Sequence, residues 1–188
     1  MWNERFASPD YVYGTAPNDF LAEHAGLLKG PVLSLCEGEG RNGVFLASRG
    51  LEVLGVDGSA VGLAKAQRLA QARGVKLRTE VADLADYNPP ANTFGAVVSI
   101  FAHLPSALRA QLYPKVERAL KPGGIILLEH YSPAQIPKTT GGPKSLDMLM
   151  TAADVQSTPG FQFMLDQGLK STQSGFSAEG LGSSGAAI

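Results

Sequence analysis

The chain has 188 residues, 44% hydrophobic and 18% charged, a balance that suits one globular domain with a sizeable core. Sixteen basic residues against seventeen acidic ones leave a net charge of −1, which gives no electrostatic footprint for nucleic acid or an anionic membrane. The single cysteine, Cys36, excludes an intrachain disulfide framework and a cysteine-based zinc cluster. The aliphatic run Ile125–Leu128 is far short of the ~20 residues that span a bilayer. The opening Met1-Trp2-Asn3-Glu4-Arg5 lacks the basic-then-apolar layout of a signal peptide, so a cytoplasmic protein is expected.

In chain order, Trp2, Tyr11, Tyr13 and Phe20 form an aromatic N-terminal group, with an early helix over Asp19–Leu28. Val32-Leu33-Ser34-Leu35-Cys36 reads as a strand, followed by Glu37-Gly38-Glu39-Gly40 and a helical run over Asn42–Arg49. Glu52–Val56 reads as a second strand ending at Asp57-Gly58. A long helix follows over Ser59–Arg73, with Ser59 as N-cap and Gly74 as stop. In that helix Val61, Leu63, Ala64, Ala66, Leu69, Ala70 and Ala72 recur at helical spacing, and Lys65, Gln67, Arg68, Gln71 and Arg73 are read as the polar positions between them. A third strand over Lys76–Val81 leads to Asp83, and a fourth over Ala96–Phe101 leads to Ala102-His103. Leu108–Leu120 is amphipathic, and Lys121-Pro122-Gly123-Gly124 stops it before the apolar run Ile125–Glu129. Further on, Gln162–Leu169 reads as a strand and Ala186–Ile188 as a stub, so the last strand is expected to be cut short.

Near-continuous apolar strands alternating with helices predict an α/β, Rossmann-like, doubly wound sheet, mostly parallel, with helices on both faces. Ligands bind such sheets beyond the carboxyl ends of the strands. The residues that follow the strands are therefore the candidates: 37–41, 57–59, 82–84, 101–103 and 129–132.

Gly38-Glu39-Gly40-Arg41-Asn42-Gly43 is a literal G-x-G-x-x-G between a strand and a helix, and Asp57 follows at the end of the next strand. Together they point to an adenosine-type cofactor. A dinucleotide brings a pyrophosphate, and the rim carries Glu37, Glu39, Asp57 and Asp83 against Arg41 alone. At ~4 Å and an effective dielectric near 20, one carboxylate–phosphate clash costs about 4 kcal/mol. S-adenosylmethionine, with a sulfonium, an ammonium and one carboxylate, suits an acidic rim better.

The residues Val32–Asn42, Leu54-Gly55-Val56-Asp57 and Leu120-Lys121-Pro122-Gly123-Gly124 resemble a class I S-adenosylmethionine-dependent methyltransferase. Tyr13-Gly14-Thr15-Ala16-Pro17-Asn18-Asp19-Phe20-Leu21, Phe101-Ala102-His103-Leu104-Pro105 and Gly141-Gly142-Pro143-Lys144 are similar to motifs of the small tellurite-resistance and thiopurine-methyltransferase-like group. The loop departs from the superfamily's Asp-x-Gly-Cys-Gly by carrying Ser34, Cys36 and Glu37. In the tail Ser183 stands where the group has a histidine.

The resemblance implies a seven-stranded sheet in one domain. Residues 1–30 would form lid helices and 31–132 the cofactor-binding core. Residues 133–188 would form a substrate-side loop, a short helix and a C-terminal hairpin.

It also implies site roles. The Gly38–Gly40 turn would carry the methionine portion, with Glu37 on the ammonium and Arg41 on the carboxylate. Asp57 would hold the ribose hydroxyls, Asp83 would meet the adenine amino group with the Leu84 backbone nearby, and Phe101 would line the adjacent wall. Cys36, Asn42, Gly58 and Ser59 complete the expected cofactor-binding residues. Trp2, Tyr13, Phe20 and Tyr131 are assigned to the lid and substrate side.

The expected reaction is methyl transfer to a small-molecule acceptor, a soft sulfur, selenium or tellurium nucleophile, by a monomer or homodimer. An acceptor that must lose a proton would need a base, for which His103 is the candidate. His103, His130 and Glu129 could also be imagined around a metal, but the spacing is no motif and no metal is expected. Lys138 and Lys144 read as solvated lysines that could flank an anionic substrate. The rival readings are a nicotinamide-dependent oxidoreductase and a non-catalytic S-adenosylmethionine-binding module.

Overall fold

The computed structural model describes residues 2–157 and the pair Ala186–Ala187. Strands β1 (Val32–Leu35), β2 (Val53–Asp57), β3 (Arg78–Val81), β4 (Phe94–Ile100) and β5 (Leu120–His130) lie in one sheet in the order β3-β2-β1-β4-β5. All of their pairings are parallel, with Leu35 opposite both Val56 and Ser99, and Ser99 opposite Leu128. The order reverses at β1, so the crevice between the ends of β1 and β4 is where this topology places a ligand. A two-residue β6 (Ala186–Ala187), where the sequence reads as a stub, pairs antiparallel with Glu129 and His130. The expected strand over Gln162–Leu169, the hairpin and Ser183 lie outside the described residues.

Helices α1 (Trp2–Arg5), α2 (Asp19–His24), α3 (Arg41–Ser48), α4 (Ala60–Ala72), α5 (Ser106–Ala119) and α6 (Ala152–Gln156) complete the described elements, with short 3-10 turns between them. Ser59 caps α4 by accepting from Gly62 N at 3.0 Å, and Gly74, at φ +67, follows its end, as the sequence predicts. The early helix is shorter than expected: α2 ends at His24, and Ala25–Leu27 tightens into a 3-10 turn. At the start of β5, the 120–124 stretch remains in the strand through a register irregularity, with Phe94 opposite Leu120 but Ala96 opposite Ile125.

The sheet separates two apolar cores. One gathers Leu21, Leu46, Val53, Ala66 and Val98 with α2, α3 and α4; the other gathers Leu33, Val56, Val97, Leu112 and Met150 with α5 and α6. Two sequence expectations change here. Phe20, assigned to the lid, is 9% exposed and belongs to the first core, where it anchors α2. Lys65, read as a polar-face residue, is 2% exposed. Its neighbours on the helix face, Gly62 and Leu69, are both buried, and positions three and four apart share a face.

Candidate active site

The first turn after β1 is built on left-handed backbone at Cys36 (φ +52), Gly38 (φ +61) and Gly40 (φ +93). Asp57, at the end of β2, holds this turn: one carboxylate oxygen accepts from Gly38 N at 2.9 Å and the other from Ser59 N at 2.7 Å. Burial raises the Asp57 pKa, and these two N–H groups draw it back. Burial, reinforced by Asp57, pushes the Cys36 thiol up to about 12, which rules it out as a nucleophile near neutral pH.

Glu37 points inward. Its Oε1 accepts from Gly43 N at 2.7 Å in the first turn of α3, and its methylene group covers Gly55. Burial raises its pKa to about 7, against the pull of the Ser34 hydroxyl and the Gly43 N–H. Glu39 is also withdrawn: it is 5% exposed, ion-paired to Lys65, and accepts from Val12 N at 2.8 Å. The acidic rim inferred from the sequence is therefore corrected. Glu39 is ion-paired with Lys65, which the sequence places among the polar positions of α4, and Glu37 serves as a helix cap, so of the four expected rim carboxylates Asp57 and Asp83 remain.

The Glu37 environment fixes a pH effect. In the unfolded chain the group ionises near 4.5, in the folded chain near 7, so its stabilising contribution is full below pH 4.5 and is lost as pH rises through about 7. The difference in urea midpoint between Glu37→Gln and the wild type should rise in the variant's favour from pH 4.5 to 8. A difference that stays flat across that range contradicts the burial argument.

Among the other expected cofactor residues, Gly58 is exposed at the end of β2, whereas Ser59 is fully buried, its hydroxyl donating to Asn3 Oδ1 at 2.7 Å. Asp83 is exposed beyond β3 and closes a turn by accepting from Ala85 N at 2.9 Å. The Leu84 side chain goes into the second core, so only its backbone remains for a ligand. Arg41 opens α3, donates to Tyr13 O at 3.4 Å and lies over the Tyr13 ring at 5.9 Å. Asn42 Oδ1 accepts from Asn18 N at 3.0 Å.

The ends of β4 and β5 bring four rings together. Phe101, at φ +53, stacks on Tyr131 at 4.7 Å between centroids, and His103 lies 5.4 Å from Tyr131 and 4.6 Å edge-on from His130. The expected meeting of His103 and His130 is present, but among the described residues no cluster of three metal-ligating side chains forms around them. His130 is buried between the carbonyls of Ala102 and Tyr131, at 3.1 and 3.3 Å. Burial, with His130 adding to it, lowers the His103 pKa to about 4, and its Nδ1 is buried without a hydrogen-bond partner among the described residues. Tyr131 also feels Glu129 and Tyr13, which raise its pKa further beyond the effect of burial. Lys144 donates to the carbonyls of Lys138 and Thr140, which ties it to its own loop.

Three contributors were missed by the sequence reading. Phe6 lies over the glycine turn, 3.4 Å from where a Gly38 Cβ would stand. Its spacing of four from Trp2, with which it stacks at 5.5 Å, was the available signal. Asn18 links the N-terminal segment to the sheet by donating to Glu129 Oε2 at 2.7 Å, and burial raises the Glu129 pKa. Lys65 is the third.

With this geometry in hand, residues 32–124 match the family described as "Methyltransferase domain". The 2-heptyl-1-hydroxyquinolin-4(1H)-one methyltransferase of Mycobacteroides abscessus is 28% identical over 121 residues, which cover 63% of this chain and 53% of that protein. The chain thus spans about half the length of the curated relative it matches. A solved structure from work on the conversion of a disulfide bond into a thioacetal group during echinomycin biosynthesis aligns with a TM-score of 0.65 and 25% identity, over 78% of this chain and 68% of its own. The CcbJ methyltransferase from Streptomyces caelestis shares the fold, with a TM-score of 0.58 at 22% identity over 75% of this chain and 60% of its own. Over residues 32–124, just under half of its length, the chain is thus similar to a methyltransferase domain.

Proposed function

We propose that the chain transfers a methyl group from S-adenosylmethionine to a small-molecule acceptor held against Phe101, His103 and Tyr131, and that the acceptor is a soft sulfur, selenium or tellurium nucleophile. The observation that carries this reading is the neutral aromatic wall beside the glycine turn, two neighbouring strand ends in the sheet. When bound, S-adenosylmethionine supplies an electrophilic methyl group on a sulfonium. An imidazolium nearby would repel that charge, whereas His103, with its pKa near 4, is neutral at physiological pH.

The residues present fit the cofactor. The Gly38–Gly40 turn, roofed by Phe6, offers close backbone approach, and the Asp57 carboxylate, hydrogen-bonded to that turn, would accept from ribose hydroxyls. A pyrophosphate fits less well, since the Gly38 N–H that would face it is already given to Asp57. The aromatic wall would align the acceptor ~3–3.5 Å from the methyl carbon and keep water out.

A side chain whose conjugate acid has a pKa near 4 is a weak base at pH 7, which favours an acceptor that arrives ionised or needs no deprotonation. The M. abscessus relative is named for a small-molecule acceptor, and net charge −1 gives no support for nucleic acid.

The test is release of S-adenosylhomocysteine across thiols, selenium and tellurium oxyanions, amines and the hydroxyquinolinone itself. Turnover on amines alone would defeat the soft-nucleophile reading, and binding without turnover would favour a non-catalytic module. On a thiol acceptor, His103→Ala should keep kcat within about threefold of wild type. On a hydroxyl or amine acceptor that needs general-base help, the same change should cost about 10²-fold.

A further inference from the structure

Lys65 is one of the most deeply buried large side chains in the fold, and the preceding roles leave it unexplained. An isolated ammonium at that depth would be strongly disfavoured, and such groups persist when fully paired. Its Nζ donates to Ser8 O at 2.9 Å and Asp10 O at 2.6 Å and forms an ion pair with Glu39. The Tyr11 ring covers it at 4.9 Å, and the Tyr11 hydroxyl donates back to Lys65 O at 3.1 Å. The second oxygen of Glu39 accepts from Val12 N. Residues 8–12 are therefore fastened to two side chains, one on α4 and one inside the glycine turn. Gly40 packs directly on Ala66, the next residue of α4, and Phe6 bridges Gly38 and Gly62.

We propose that Lys65 is a positioning residue. It locks residues 8–12 onto Glu39 and thereby holds the 38–40 turn in its cofactor-receiving shape beneath the N-terminal segment. The inference rests on the reading that this turn takes S-adenosylmethionine. Lysine suits the task because a compact ammonium offers three donors in different directions, here met by two carbonyls and a carboxylate, whereas a planar guanidinium needs a flat, wider space.

Trp2 is the sole tryptophan and stacks on Phe6, so its emission reports whether the segment is docked. In Lys65→Met the emission should move to the red, and S-adenosylhomocysteine should bind at least tenfold more weakly by calorimetry. That variant also strands Glu39 in the interior and loses stability. The double variant Lys65→Met/Glu39→Gln removes the stranded charge while keeping an acceptor for Val12 N. Its Tm should recover towards wild type while its affinity stays low. A double variant that recovers Tm and binds S-adenosylhomocysteine within twofold of wild type overturns the proposal, even where Lys65→Met alone fails to fold. A wild-type chain that binds no S-adenosylhomocysteine overturns the cofactor reading itself and this inference with it, a result distinct from binding that survives the double change.

Discussion

Replacing Asp57 with alanine should weaken S-adenosylhomocysteine binding by at least about 30-fold, close to 2 kcal/mol. The carboxylate accepts from Gly38 N and Ser59 N at once, so the change releases the glycine turn and the start of α4 together. A hydrogen bond to a charged group is worth about 1.5–3 kcal/mol, and leaving a partly buried N–H unpaired adds to the loss. Asp57→Asn should fall between the two, since an amide has one oxygen to accept with and its nitrogen meets an N–H head-on. Calorimetry decides the matter: affinity unchanged in Asp57→Ala would remove Asp57 from the cofactor site, whatever its effect on Tm.

Gly40→Ala should be the most damaging single-methyl change in the site. Its Cβ would stand 2.6 Å from both Cα and Cβ of Ala66, and Gly40 sits at φ +93. The left-handed backbone costs an alanine about 1–2 kcal/mol, and the overlap, against helix backbone that cannot swing aside, about 1–3 more. A loss of about 2–5 kcal/mol is a large part of the 5–15 that hold a typical domain folded. Gly14→Ala is the control: it has φ +71 but open space around its Cβ, so it should show the backbone cost alone. Urea denaturation of the two variants separates overlap from backbone. Equal losses would mean that the turn does not pack on α4 as described.

What the sequence makes legible is whatever depends on local pattern. The strand ends, the glycine turn, the Ser59 cap and Asp57 at the next strand end are all consequences of short-range spacing, and each is found in its expected place. What escapes is charge placement. Lys65 is expected on a polar helix face and Glu37 and Glu39 on an acidic rim facing the ligand. The outcome for Lys65 and Glu39 depends on residues 8–12, 27 or more positions away, and that for Glu37 on the turn into α3. Periodicity in α4 did carry the hint, since Lys65 shares its face with Gly62 and Leu69. Phe20 and Leu84 escape for a related reason: a motif gives a residue's neighbourhood, while the direction of its side chain is set by packing.

The two cores on opposite sides of the sheet share no side chain. Helices α3 and α4 draw on the first, and so does Phe101 of the proposed acceptor wall, while α5 and the segment bearing Met150 and Val155 draw on the second. The proposed donor side leans on both, since Ala66 beneath Gly40 belongs to the first, and Leu84 and the partly buried Cys36 go with the second. The consequence is that a heritable change of volume in either layer is felt around the proposed reagent, so neither layer is free to drift without a compensating change in the other.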